Sequence, residues 1–144
     1  MFLSLFEENR EYAKLFSSDK KRINITGLTD SAKPHFLYGL FNKADKSIVV
    51  VVKSEVYGKK LCDQLSFFEI EAFLFKERDF NFYNIDAGSN EIFLSRINTL
   101  KAALTKKAVF VVTLDALSQP VIQKEKLEKT FIELKVGECI SETQ

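Results

Sequence analysis

The 144-residue chain is 46% hydrophobic and 28% charged, which is ordinary for one globular domain and excludes a disordered chain. Its formal net charge of +1 excludes a strongly basic domain that is drawn as a whole onto nucleic acid. The cysteines, Cys62 and Cys139, lie far apart without metal-ligand spacing, as is typical of a reducing compartment. The sequence shows no secretion signal and no apolar run near the roughly 20 residues that span a bilayer, so we expect a cytoplasmic protein.

The N-terminal third of the chain predicts a helix, a strand and a second helix. Residues 1–16 have apolar residues at helical spacing, and the polar segment 17–20 ends this pattern. Arg22 to Thr26 (RINIT) predicts a short strand that enters a turn over residues 27–31. The apolar stripe of the helix predicted directly after this turn consists of Phe36, Leu37, Leu40 and Phe41.

The middle of the chain predicts two strands around a helix. Ser47 to Val52 (SIVVVV) lacks polar alternation, which predicts a central parallel strand that is covered on both faces. Ser54 is a candidate N-cap for the next helix, and Glu71 to Phe75 (EAFLF) predicts a third strand. The buried stripe predicted between them consists of Val56, Tyr57, Leu61, Leu65 and Phe68.

The C-terminal part continues this alternation after an irregular polar segment over residues 76–90. Ala108 to Thr113 predicts a second buried strand, a short helix follows at residues 115–117, and Thr130 to Val136 alternates like an edge strand. The helix before the buried strand has a predicted apolar stripe of Ile92, Phe93, Ile97, Leu100 and Leu104. The order of elements predicts one α/β domain over residues 1–144. Its predicted fold is a three-layer, P-loop NTPase-like or Rossmann-like parallel sheet, with right-handed crossovers and helices on both faces.

The first strand-turn-helix unit carries a damaged phosphate-binding motif. In such sheets ligands lie at the carboxyl ends of the strands, next to helix N-termini. Residues 25–36 (ITGLTDSAKPHF) match G-x-x-x-x-G-K-[ST] at Gly27 and Lys33, but Ala32 replaces the second glycine and Pro34 the metal-binding Ser or Thr. Pro34 removes both a hydroxyl and a backbone N–H, so we expect no catalytic or metal-binding residue here and no cofactor bound at the motif positions. These degenerate positions are Gly27, Ser31, Ala32, Lys33 and Pro34.

Other candidate residues have simpler structural interpretations. Lys33 at a helix N-terminus is capable of attracting an anion, but a solvated lysine is the simpler interpretation. His35 is the only histidine and lacks an evident nucleophilic partner, which favours a packing or surface role. Asp86, Glu91 and Arg96 lie near the irregular segment and are most simply solvated charges.

Several stretches together resemble the N-terminal part of bacterial transcription-repair coupling factors, which is similar to the first domain of excinuclease B, the helicase-like protein of nucleotide excision repair. The resemblance covers roughly residues 22–137 and rests on GLTDSAKPHFLYGLF, SIVVVVKSEVYGKKLCDQLSFF, SNEIFLSRINTLKAAL and AVFVVTLDAL. Gly27, Ser31 and Lys33 fall on the family's loop, which is also degenerate in coupling factors. Ser95 to Leu100 corresponds to a family helix, and Leu134 to Glu138 to the strand that leads to the next domain.

The resemblance implies a DNA-repair scaffold without ATPase activity of its own. Coupling factors displace RNA polymerase stalled at DNA damage and recruit the excision-repair protein excinuclease A, using ATP and Mg in a separate C-terminal translocase motor. The implied partners are the other domains of the same protein. For the full-length protein they are RNA polymerase, excinuclease A and double-stranded DNA, and no membrane association is implied. We therefore expect an excised N-terminal domain of a much larger protein, with a tendency to self-associate through the Thr130 to Val136 strand.

Two other functions remain open at this point. A divergent nucleotide-binding, helicase-type ATPase would need a substitute metal ligand, for which Thr29 or Ser31 is available. The acidic pair of such an ATPase is missing where Asp115 is followed by Ala116. A receiver-like signalling domain would need an acidic pair near the end of its first strand, and Ile23 to Thr26 contains none.

Overall fold

A computed structural model describes residue 12 and residues 21–78 and 88–130. The described helices are α1 (Lys33–Lys43), α2 (Glu55–Ser66), α3 (Gly88–Thr105), α4 (Leu114–Ser118) and α5 (Lys124–Thr130). The described strands are β1 (Ile48–Val52), β2 (Ala72–Phe75) and β3 (Val109–Thr113).

The three described strands form one parallel sheet in the order β1-β3-β2. Val109 at the start of β3 lies opposite Ile48 of β1 and Ala72 of β2, so all three strands end at the same edge of the sheet. β-branched and aromatic residues dominate the strands, because such side chains pack well on a pleated surface. The predicted α/β alternation with a parallel sheet is thereby confirmed.

The core lies on both faces of β3, whose five residues are all buried. On one face, Val109 and Val111 pack with Leu61 and Leu65 of α2, and Leu37 of α1 lies against the same cluster. On the other face, Val112 packs with Ala116 of α4 and Leu100 of α3, while Phe110 packs with Ala102 of α3. Alternate residues of β3 thus contact different sets of helices, as the two-residue period of a strand requires.

The start of α2 follows the sequence prediction. Ser54 is the N-cap, and its Oγ accepts a hydrogen bond from the backbone N–H of Tyr57 at 3.3 Å. The carboxylate of Glu55, in the first turn, also accepts a hydrogen bond of 2.5 Å from the backbone N–H of Glu77, which lies just after β2. The cap and this contact tie the N-terminus of α2 to the carboxyl end of the sheet.

Two predictions about strands are wrong. Arg22 to Thr26 forms no strand, and Ile23 and Ile25 are each 44% exposed. Among the described residues β1 is an edge strand and β3 is central, and Val49 and Val51 on β1 are 62% and 55% exposed. The physical reason lies in the placement of the helices. Helix α3 packs on β2, and α3 and α4 pack on β3, so no described helix covers the face of β1 that carries Val49 and Val51.

The predicted apolar stripes are correct only in part. On α2, Leu61 and Leu65 are buried as predicted, but Val56 is 82% exposed. Among residues 91–105 of α3 the buried positions are Arg96, Thr99 and Ala102, whereas Phe93 and Leu104 of the predicted stripe are exposed.

Some predictions concern residues outside the described ranges. Of the predicted N-terminal helix only Tyr12 is described, and it is helical, buried and 5.9 Å from the ring of Phe36. The predicted strand Thr130 to Val136 lies outside the described residues except for Thr130, which ends α5.

Candidate functional site

The turn before α1 holds two backbone N–H groups of the damaged motif in internal hydrogen bonds. Ala32 N–H and Lys33 N–H both donate to the carbonyl of Thr29, at 3.0 and 3.2 Å, and Pro34 has no N–H. A phosphate loop instead directs such groups outward to the ligand oxygens. Three consecutive positions of the damaged motif therefore offer no backbone donor to an anion.

Gly27 is the one element of the motif whose conformation still requires glycine. Its φ of +78° lies in the left-handed region, which side chains with a Cβ rarely adopt. No heavy atom lies within 4 Å of the position that a Cβ would occupy there, so the backbone angle and not the available space selects glycine.

The ammonium group of Lys33 is held by two side chains. Its Nζ lies 2.5 Å from Asp30 Oδ1 and 3.4 Å from the Tyr57 hydroxyl, which donates to the same Asp30 oxygen at 3.2 Å. The hydrogen bond from Lys33, followed by its charge and the Tyr57 hydroxyl, lowers the pKa of Asp30, and the bond to Asp30 raises the pKa of Lys33. The carboxylate of Asp30 thus occupies the position on Lys33 that a ligand anion would take.

A cleft of about 330 Å³ opens beside this triad at the carboxyl end of β1. We call it the Tyr57 cleft. Its polar side chains are Asp30, Lys33, Lys53 and Tyr57, and its remaining wall is largely apolar. The apolar lining includes Leu28, Phe36, Leu37, Val50 and Leu61. Lys53 Nζ lies 5.4 Å from the centre of the Tyr57 ring, and Lys33 Nζ lies 5.5 Å from it.

The two hydroxyls proposed as substitute metal ligands bond to one another. Thr29 Oγ1 and Ser31 Oγ are 3.2 Å apart and exposed. Within the described ranges no group of three or more His, Cys, Asp or Glu side chains is placed to hold a metal ion.

A second polar cluster lies at the carboxyl ends of β2 and β3. Arg96 is only 3% exposed, and its Nη1 donates to the carbonyl of Lys76 at 2.5 Å and to Gln119 Oε1 at 3.1 Å. Its guanidinium carbon lies 4.0 Å from the centre of the Phe75 ring. Burial, and secondarily the charge of Arg78, lowers the pKa of Arg96. This side chain joins α3 to the segments that follow β2 and α4.

The sequence identified Lys33 and Arg96 as candidates but not the partners that the fold gives them. The interpretation of Arg96 as a solvated charge is wrong, because its side chain is buried. Asp30 lies three residues before Lys33, a spacing that is itself a detectable signal, whereas Tyr57 and Lys53 come from a distant segment. Glu91 is exposed on α3, and Asp86 lies outside the described residues. His35 makes an edge contact with Phe68 at 4.8 Å, consistent with the packing role.

Cys62 on α2 is half-buried, and burial, with a smaller effect of the Asp63 charge, raises the pKa of its thiol to about 11. We expect iodoacetamide to alkylate Cys62 at pH 8 on the order of 100-fold more slowly than it alkylates a free cysteine, because so little thiolate is present. The rate is measured by mass spectrometry on the Cys139→Ser variant, with the urea-unfolded protein as control. Equal rates in the folded and unfolded protein would contradict the burial of this thiol.

None of the described helices is long and apolar enough to cross a bilayer. In comparisons with known proteins, no family model, no curated protein and no solved structure matches this chain.

Proposed function

We propose that this chain is a non-catalytic scaffold domain that has kept the framework of a nucleotide-binding domain and lost its phosphate chemistry. The observation that carries the proposal is the closed turn before α1, where Ala32 and Lys33 donate to Thr29 and Pro34 has nothing to donate. In an intact loop such N–H groups donate hydrogen bonds to the phosphate oxygens, so their loss weakens phosphate binding.

The state of Lys33 supports the same proposal. Phosphoryl transfer needs a cation already placed where negative charge develops on the transferred group. Here the Lys33 ammonium is engaged by Asp30 and Tyr57, so a nucleotide would have to displace the carboxylate before it gained the lysine. The hydroxyls of Thr29 and Ser31 are exposed and bond to one another. The carboxylate between them, Asp30, is engaged by Lys33, and within the described residues it belongs to no group of three or more His, Cys, Asp or Glu side chains placed to hold a metal ion.

The finer fold and the biological setting are part of this proposal and rest on the resemblance. The sheet is that of a three-layer, P-loop NTPase-like domain, and the chain is the N-terminal domain of a cytoplasmic transcription-repair coupling factor. In that setting its partners are the neighbouring domains, while RNA polymerase, the excision-repair protein excinuclease A and double-stranded DNA engage the full-length protein. ATP and Mg then act in the C-terminal motor.

Calorimetry with ATP·Mg²⁺, together with a phosphate-release assay, tests the loss of phosphate chemistry. We expect no heat of binding when ATP·Mg²⁺ is titrated up to about 1 mM, and we expect no turnover. The reason is that at least three donors of the phosphate-binding loop are missing. A micromolar dissociation constant with hydrolysis by the wild-type chain would refute the proposal and favour the divergent ATPase.

The double variant Ala32→Gly/Pro34→Thr is the matched control for the damaged motif, and Asp30→Asn tests the block on Lys33 separately. Nucleotide affinity that appears only when the motif substitutions are made identifies positions 32 and 34 as the damaged part. Wild-type affinity equal to that of the double variant would show that the loop was never functionally damaged. The coding sequence beyond codon 144 tests the family independently: a coupling factor requires a second α/β domain and a translocase motor there.

A further inference from the structure

The Tyr57 cleft combines an apolar wall with an excess of positive charge. Lys33 and Lys53 both lie over the ring of Tyr57, and Asp30 is the only carboxylate among the described residues that line the cleft. Lys33 is paired with Asp30, whereas Lys53 forms no ion pair within the described part of the chain. Among the described residues, one of the two positive charges beside the cleft therefore has no carboxylate within ion-pair distance.

The size and lining of the cleft restrict what fits there. Its volume of about 330 Å³ is at the lower end of the range of small-molecule sites. Leu28, Phe36 and Leu61 offer apolar contact to a ring or a branched alkyl group, while the Lys53 ammonium offers polar contact. The Tyr57 hydroxyl already donates its proton to Asp30. A ligand that matches both parts has an apolar body and an anionic end.

The charge balance favours a single carboxylate over a phosphate group. One carboxylate beside Lys53 neutralises the cleft while Asp30 stays on Lys33. A phosphomonoester carries close to two negative charges, would repel Asp30, and would find no N–H donors at positions 32–34 of the closed turn.

We infer that the Tyr57 cleft is a binding site for a small apolar molecule with one carboxylate, held by the Lys53 ammonium beside the Tyr57 ring and packed against Phe36. The inference goes beyond the proposed function, since the loss of phosphate chemistry and the presence of this site can each fail alone.

Hydrocinnamate, a phenyl ring on a short chain that ends in a carboxylate, is a suitable probe. We expect saturable shifts of the backbone amide signals of Phe36, Lys53 and Tyr57 in the ¹⁵N-labelled 144-residue chain, with a dissociation constant on the order of a few millimolar. The neutral amide hydrocinnamamide is the matched ligand control, and we expect it to bind about tenfold more weakly.

Two variants separate the charge from the fold. Lys53→Met should weaken hydrocinnamate binding about tenfold while leaving the spectrum otherwise intact, because Lys53 is exposed and forms no ion pair within the described residues. Lys60→Met, at an exposed position of α2 that does not line the cleft, should leave binding unchanged.

Four outcomes would overturn the inference. The first is no saturable shift up to about 50 mM hydrocinnamate, and the second is equal binding of the acid and the amide. The third is displacement of hydrocinnamate by equimolar inorganic phosphate, which would make the cleft a simple anion site. Unchanged binding in Lys53→Met would likewise remove the residue on which the site depends.

Discussion

The Arg96→Ala variant is expected to lower the free energy of unfolding by about 3 kcal/mol. Alanine removes the hydrogen bonds to the Lys76 carbonyl and to Gln119, together with the packing of the guanidinium on Phe75. It also leaves the two acceptors without this donor in a site where Arg96 itself is only 3% exposed. The expected loss is therefore typical of a core residue, although arginine is usually a surface residue.

Chemical denaturation followed by far-ultraviolet circular dichroism measures this change. Arg78→Ala is the matched control, because Arg78 is an exposed arginine whose charge contributes to lowering the pKa of Arg96. We expect Arg78→Ala to change stability by less than about 0.5 kcal/mol. Arg96→Met retains much of the packing volume and isolates the hydrogen bonds. A loss below about 1 kcal/mol in Arg96→Ala would contradict the joining role of this side chain.

The Gly58→Val variant is expected to destabilise the fold by about 3 kcal/mol, because α2 approaches the sheet most closely at Gly58. A Cβ at this position would lie 2.8 Å from Leu74 Cδ1, 3.2 Å from Val111 Cγ1 and 3.3 Å from Val52 Cγ2. The contact with Leu74 is shorter than carbon atoms tolerate, and valine adds two further methyl groups in the same space. The side chains of all three strands would have to move.

Lys60→Val on the same helix is the control, since it changes helix propensity at an exposed position and is expected to cost only about 0.5 kcal/mol. Gly58→Ala provides a milder variant, in which a gain of roughly 1 kcal/mol in helix propensity opposes the close contact with Leu74. Thermal and urea unfolding of the four proteins provides the comparison. If Gly58→Val and Lys60→Val were equally stable, the close approach of α2 to the sheet would be wrong.

Local patterns in the sequence determined the element types and the damage to the loop. Ala108 to Thr113 is a run of apolar and β-branched residues that predicts a buried strand by itself, and Ser54 followed by Glu55 predicts a helix start. Pro34 lacks a backbone N–H and a hydroxyl in any fold, because both are properties of the proline residue itself. Such features depend on neighbours within a few positions, and the sequence shows those neighbours directly.

Only the tertiary structure decided which elements cover one another. Ser47 to Val52 and Ala108 to Thr113 have the same local pattern, yet β3 is central and Val49 and Val51 of β1 are exposed. The stripe predicted on α3 missed Arg96, since a periodic pattern of apolar residues does not register a buried guanidinium that finds its acceptors on other segments. The damage to the loop could be predicted from its residues, but the partners that bind the Lys33 ammonium could be predicted only in part. Tyr57 reaches Lys33 and Asp30 from a segment more than twenty residues away, and contacts across that separation arise from chain topology and not from local periodicity.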